Sequence, residues 1–533
     1  MNKFVALASA LSFSFTAAFA ADAPDSAKTS AEALLQSNCL GCHLPQEGGL
    51  SRISQQRKSP EGWEMTIARM QIMHGLQLHG PEGMSKRDIT HQLVKYLADT
   101  QGLAPAETDG VRYLLEQDLN QVESFDEELT QMCGRCHSAA RVALQRRPEQ
   151  EWHYLVDFHI GQFPSIEYSL YGRDREWLSI AHNTMVPRLA ADYPLQSDSW
   201  QRWQELKKPQ LTGSWLLEGY IPGKGEFIAT LKTSSDQTDY YTLDISGQYR
   251  SGETFSGTGS AVVYSGHEWR ASLNFGDIQL RQVLSAAADG NFLSGRQYIS
   301  GQAALGSQIT AQRDTGKAML MAAAPSAIAA GSSAEITLMG GNLSGSPTAG
   351  RGISGVEVVS SDANKMVVRV TAEAGFHGQS ALAIGDQNIS LAIYNSVDAL
   401  TIEPAYATAR IGGNGGATPK VQAAFRALGV DYGADGEPGT ADDLNLGYVD
   451  GVNWRAVPRD ETAANDQDVK FAGEMDSATG IYTPADAGPN PERYRSTNNA
   501  GNLNVEASLT GSEATGSGRL LVTVQRWNQP PLQ

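Results

Sequence analysis

Cys39-Leu40-Gly41-Cys42-His43 and, further on, Cys133-Gly134-Arg135-Cys136-His137 decide how this sequence is read. Each is a C-x-x-C-H motif, the attachment signature of a c-type haem. The two thiols of a motif add to the two vinyl groups of one porphyrin, and the adjacent His then lies beneath the iron as proximal ligand. The two copies use all 4 cysteines of the chain, so thioether formation leaves no thiol for a disulfide. A thioredoxin-like redox centre needs one C-x-x-C in a βαβ setting, and no such setting is visible. A four-cysteine zinc site does not ask for His after each second Cys. The motifs therefore predict two covalently bound c-type haems. Cys39, Cys42, Cys133 and Cys136 are the thioether donors, and His43 and His137 the proximal iron ligands.

The flanks repeat as well. Leu35 lies four residues before Cys39 and Leu129 four before Cys133, with Phe125 one turn further back, which predicts a short amphipathic helix entering each motif. Each motif is followed by a loop and a Trp-led helix, starting near Pro60 for Trp63 and near Pro148 for Trp152. Seven residues, nearly two helical turns, carry each Trp to a candidate iron ligand on the same face: Met70 in the first unit and His159 in the second. The pairs His43/Met70 and His137/His159 are thus expected. Met73, His74, His79 and Met84 stay open as distal ligands in the first unit, and His153, His182 and Met185 in the second. A closing helix is predicted over Lys86 to Thr100. Its counterpart runs from about Asp174 to Ala190, kinked or ended by Pro187. Met against His in the distal position raises the potential, which gives a downhill step from the second haem to the first. Six-coordinate iron favours electron transfer over peroxide chemistry. Residues 21–195 are read as a tandem dihaem cytochrome c domain.

The ends and the charge bound the rest. Residues 1–20 read as a signal peptide, with basic Lys3, an apolar run and an Ala18-Phe19-Ala20 site cleaved after Ala20. Export to a periplasm is expected. The apolar run is too short for a membrane span, and no other segment approaches one. With 41 Lys+Arg against 59 Asp+Glu, the net charge of −18 argues against nucleic-acid binding and anionic membranes.

Beyond a polar connector the pattern turns to period-two alternation with Gly punctuation, 54 glycines in all. Tyr240–Ile245 and Gly259–Tyr264 are examples. Residues 210–313 are read as an antiparallel β-barrel, 325–404 as an immunoglobulin-like β-sandwich and 405–533 as a C-terminal β-sandwich, with Val469–Ala472 as one of its strands. The fold class is multidomain, an α-helical dihaem cytochrome c domain followed by all-β domains. Asp435–Asp443 clusters oxygen ligands of the kind calcium takes, but lacks EF-hand spacing and is read as a solvated turn. The β domains show no catalytic fingerprint.

Tandem C-x-x-C-H units with Trp helices, then a barrel and two sandwiches, resemble the alpha (dihaem) subunit of quinohemoprotein amine dehydrogenase. Gly259–Arg270, Gly412–Val421, Gly436–Asp443 and Ser496–Leu503 carry the likeness, which covers the mature chain. The resemblance implies a periplasmic heterotrimer with a propeller-type beta subunit and a small gamma subunit. That small subunit bears a cysteine tryptophylquinone, which oxidises primary amines to aldehydes and ammonia. Electrons would leave through the two haems to a soluble cytochrome c or copper protein. It also implies one bis-His and one His/Met haem, and no catalytic residue on this chain. Two other readings compete: a stand-alone dihaem enzyme such as a peroxidase, and a β-domain scaffold that carries a cytochrome.

Overall fold

A computed structural model describes residues 31–163, 166, 174–414 and 418–524. The expected signal peptide and its Ala20 cleavage site lie outside the described residues.

The N-terminal part is helical and built twice. Helix α1 (Ala31–Cys39) ends on the first cysteine of its motif, and its Leu34 and Leu35 are buried. Helix α2 (Pro60–His74) starts with Ser59 capping Gly62 N–H and Pro60 in the first turn, where its missing N–H costs nothing. Gly75, at φ 73°, closes it in the left-handed conformation that glycine adopts without strain. Helix α3 (Lys86–Thr100) opens on a Ser85/Asp88 capping box. In the second unit, α4 (Glu127–Cys133) again ends on the first cysteine, and α5 (Glu149–Gln162) is the second Trp helix. Trp63 and Trp152 are 2% and 1% exposed and anchor the two helices at equivalent points.

The closing helix of the second unit accommodates Pro187 by widening rather than stopping. Trp177–Ile180 is α-helical, Ala181–Met185 is a π-turn, and Val186–Asp192 resumes the α-helix with Pro187 in its first turn. The residues from Asp174 to Glu176 stay outside the helix, so it starts later than the sequence suggested.

The two units meet through equivalent residues. Arg57 lies six residues before Trp63 and Arg146 six before Trp152, and these two pair across a short antiparallel ribbon. Arg69 lies six residues after Trp63 and Phe158 six after Trp152, and the guanidinium carbon of the first sits 5.3 Å from the ring centroid of the second. Equivalents that touch one another lie on a pseudo-two-fold axis, which therefore passes through the ribbon and between α2 and α5. Glu107 fastens the ribbon. Arg57 donates to both of its carboxylate oxygens, at 2.7 and 2.8 Å, and Arg146 Nε donates at 3.1 Å.

Residues 213–313 form a closed barrel of eight consecutive antiparallel strands, whose last (Gln302–Arg313) pairs with its first (Gly213–Ile221). Eight strands leave an interior just wide enough for side chains. Here Trp215, Trp269, Phe227, Leu243 and Leu273 fill it. Along Thr254–Tyr264 the alternation splits two ways. Ala261 and Val263 point into the barrel, while Val262 and Tyr264 join the core of α1, α2 and α3. The turn that follows locks the barrel on: Ser265 Oγ donates to Ala98 O at 2.7 Å, and Ser265 N–H to Asp99 at 2.9 Å. Beside it, buried Glu268 accepts from Arg112 at 2.6 Å and from Arg270 at 2.8 Å, and Arg270 reaches Glu61 on α2 at 2.6 Å.

Two four-stranded sheets over one core follow, then a last unit with its own core. Pairing shifts both expected edges of the third unit. Met319–Ala324, ahead of the expected start at 325, pairs with Ser333–Gly341. Ala399–Glu403, expected in the third unit, pairs with Arg426–Asp431 of the fourth. Asp468–Phe471 is a helical turn where the sequence suggested a strand over Val469–Ala472. Its buried Asp468 accepts from Arg493 at 2.5 Å and from Asn502 N–H at 2.8 Å, which fixes the turn. In the acidic loop the carboxylates turn inward. Asp442 accepts from Ala434 N–H and Asp443 from Gly439 N–H, both at 2.7 Å.

Candidate functional site: two C-x-x-C-H units

Each motif begins where a helix runs out. At the end of α1 the carbonyl of Cys39 accepts from both Cys42 N–H and His43 N–H, at 3.1 and 2.9 Å, which wraps the motif into one tight turn. Both motifs present their cysteines alike. Cys39 and Cys133 are half-buried, Cys42 and Cys136 exposed, and all four are free thiols. Burial pushes the Cys39 thiol up to about 11, with Cys42 adding to it, and burial likewise pushes Cys133 up to about 11. Burial thus keeps these two thiols protonated, which disfavours thiolate ligation of a zinc ion, since that needs the charge.

The two motif histidines are fixed by their inner nitrogen. His43 Nδ1 lies 2.8 Å from Ser51 O and His137 Nδ1 2.9 Å from Ser138 O. A carbonyl only accepts, so Nδ1 carries the proton and Nε2 keeps its lone pair. That is how a metal-ligating His is held by its outer partners. Burial drives the His137 imidazole down to about 4, with the Ser138 carbonyl opposing and Arg141 and His159 reinforcing, so the ring is neutral and able to ligate.

His159 has the same device: its Nδ1 donates to Leu155 O, one turn back in α5, at 2.6 Å. Its ring centroid stands 6.4 Å from that of His137. With metal–imidazole bonds of about 2.0–2.1 Å, two rings facing across one metal ion have centroids about 6 Å apart. The second motif thus fits an iron between His137 and His159. The rival histidines are engaged elsewhere. His153 and His182 stack on each other with their Nδ1 atoms 2.8 Å apart, and His182 Nε2 reaches Asp157 at 3.2 Å. Met185 is packed in the core with Trp152.

In the first unit Met70 occupies the position on α2 that His159 has on α5 and is half-buried. Met73, His74 and His79 are exposed. Met84 packs against the core that holds Trp63 and Leu35. Sequence reasoning missed the basic residues that surround both sites. Lys58 and Arg147, each five residues before its Trp, are buried, and their charged ends lie 5.0 and 5.7 Å from the Trp63 and Trp152 rings. A signal was present, since a basic pair precedes each Trp at the same distance: Arg57-Lys58 and Arg146-Arg147. Burial lowers the His159 imidazole too, and Arg69, Arg147 and Arg141 press it down further.

Four family models match along the chain. They are the haem-binding domain of the quinohemoprotein amine dehydrogenase alpha subunit over residues 29–200, domain II over 208–314, domain III over 317–395 and domain IV over 400–532. A search of curated proteins found no match. Among solved structures, a redesigned β-barrel, mFAP1, bound to DFHBI is 14% identical over 19% of this chain and 94% of its own, with a TM-score of 0.17. Domains 5–6 of the S-layer protein SbsC are 14% identical over 39% of this chain and 99% of their own, at 0.15. Such scores carry no argument. Among the described residues no helix is long and apolar enough to cross a membrane. The haem-binding assignment of the first domain agrees with the two C-x-x-C-H units, and the remaining three assignments follow the barrel and the two β units behind it. The chain belongs to the quinohemoprotein amine dehydrogenase alpha-subunit family.

Proposed function

We propose that this chain is the dihaem electron-transfer subunit of an exported amine dehydrogenase complex. In this reading Cys39 and Cys42, and Cys133 and Cys136, hold two haems as thioethers. His43 with Met70, and His137 with His159, would hold the two irons. Haem supplies a one-electron couple on iron. The chain's own residues do the rest: the Nδ1 anchors hold the imidazoles in their ligating tautomer, and buried Trp63 and Trp152 fix the two distal helices. The pseudo-two-fold sets the residues before Met70 and His159 against each other, which supports a short path between the two sites. The amine-oxidising quinone belongs to a small gamma subunit beside a propeller-type beta subunit, and a soluble cytochrome c or copper protein takes the electrons away. The domains are 21–195 for the haems, the barrel from 210 to 313, and two β units behind it that dock partners. The signal peptide directs the chain to the periplasm.

The observation that carries this reading is the placement of His137 and His159, with ring centroids 6.4 Å apart and each Nδ1 anchored on a backbone carbonyl. The test is optical and magnetic spectroscopy of the purified chain and of Met70→Ala, Met84→Ala and His159→Ala. Two haems per chain are expected. The Met–iron band should vanish in the first variant alone, and bis-His character in the third alone. Loss of the band in Met84→Ala instead would move the first distal ligand to Met84. A chain with fewer than two covalent haems, or with carbon monoxide binding at both ferrous sites, would sink the reading.

A further inference from the structure

The seam between the two haem units holds more positive charge than its own carboxylates neutralise. Lys58 and Arg147 are both 4% exposed, and Arg69 and Arg141 are half-buried beside them. Among the described residues the nearby anion is Glu151, 1% exposed, and it is shared. Arg52 reaches it at 2.8 Å, Arg147 at 3.5 Å, and Gln56 donates to it at 3.1 Å. The other partners are neutral: Lys58 Nζ donates to Thr66 Oγ1 at 2.7 Å, and Arg147 donates to Gln145 Oε1 at 3.0 Å. Among the described residues three buried donors find no acceptor: Arg69 Nε, Arg141 Nη2 and the indole Nε1 of Trp152, a residue 1% exposed. The cost shows in the titration of these groups. Burial, then the neighbouring Arg147 and Arg69, pull the Lys58 ammonium well below its ordinary range, and burial with Arg69 pulls Arg141 down to about 10. Buried cations with unspent donors fit anionic oxygens, and planar guanidiniums suit carboxylates above all.

We propose that Lys58, Arg69, Arg141, Arg147 and the Trp152 indole form one carboxylate-binding seam shared by the two units, and that it takes the propionates of the haems. The inference rests on the function proposed above. The seam lies on the pseudo-two-fold, with Lys58 and Arg69 from the first unit and Arg141, Arg147 and Trp152 from the second. One set of cations therefore acts on both haems. Positive charge beside a haem disfavours the ferric state, so these residues hold both potentials up together.

The test uses the full-length holoprotein with Arg69→Gln, Arg141→Gln and the charge-preserving Arg69→Lys. Arg455→Gln serves as a control at an exposed site away from the seam. Haem content is measured first. Reduction potentials are then taken by spectroelectrochemical titration, and the propionate carboxylate bands by redox-induced infrared difference spectroscopy. Both Gln variants should keep two haems, lower both potentials and move the propionate bands. Arg69→Lys should hold both potentials nearer the wild type than Arg69→Gln does, and Arg455→Gln should leave both unchanged. Unchanged potentials, a shift confined to one haem, or lowered potentials with unmoved propionate bands would overturn the seam. A wild-type chain that lacks two haems would instead defeat the functional reading beneath it, so the two failures are told apart.

Discussion

Arg69 and Phe158, six residues beyond the buried Trp of their respective units, touch with the guanidinium carbon 5.3 Å above the ring. The next residues in sequence are Met70 and His159, so the contact ties together the two helices that carry the proposed distal ligands. A cation over an aromatic face contributes about 0.5–2 kcal/mol, more as water is excluded. A double-mutant cycle of Arg69→Ala and Phe158→Ala should return a coupling of about 0.5–1 kcal/mol in denaturant unfolding. Strictly additive losses would mean that the two helices do not meet there.

Glu107 should be the acid-sensitive joint of the helical domain. Burial alone would raise its carboxyl, but hydrogen bonds and charge from Arg57, with the charge of Arg146, outweigh it and hold the group at about 2. A carboxylate depressed from its ordinary 4.5 stabilises the fold fully above that value. The contribution is lost as pH falls from about 4.5 towards about 2. Glu107→Gln removes it at every pH and leaves two buried guanidiniums without their anion, at a cost of about 3–5 kcal/mol. Unfolding of wild type and variant followed from pH 7 to pH 2 should converge on the acid side. A gap that stays constant over that range would contradict the assignment.

Gly102 lies directly against the turn that fastens the barrel to the haem domain. A Cβ there would lie 2.1 Å from Ala98 O and 2.1 Å from Ser265 Oγ. Gly102→Ala must therefore push the Ser265 turn off the end of α3, breaking the bond between those two groups. A loss of about 1–3 kcal/mol is expected, as for other overpacked sites. Limited proteolysis should then cut faster between the helical domain and the barrel, and an unchanged digestion pattern would show that the junction absorbs the methyl group.

His153 and His182 should be silent in the haem spectra. They are engaged with each other and with Asp157, so His153→Asn and His182→Asn are expected to leave the low-spin signature of the second haem intact. Disappearance of bis-His character in either variant would replace His159 with that residue as ligand.

The sequence carried the chemistry further than the frame. Two C-x-x-C-H motifs are strictly local signals, and the helices before and after them follow from Leu35, Leu129, Trp63 and Trp152 by period alone. Barrel strands were legible for the same reason where one face meets solvent, as along Tyr241 to Ile245, whereas Ala261 to Tyr264 is apolar throughout because its two faces enter two cores. What escaped was set by distant partners. Asp468–Phe471 alternates like a strand over too few residues to exclude a helical turn, and Arg493 decides the matter. The strand Ala399–Glu403 could be assigned to a unit only through its pairing with Arg426–Asp431. The charge seam was also hidden, because a lysine or arginine in sequence reads as surface until the fold buries it.

The pairing of Arg57 with Arg146 has a consequence for how the helical domain can be divided. Each half supplies one strand of the ribbon and one of the guanidiniums that Glu107 holds. Either half alone would lack the second strand and leave its arginine to solvent or to another copy of itself. Neither can be cut away without exposing what the other covers, so the two halves stand or fall as one folding unit.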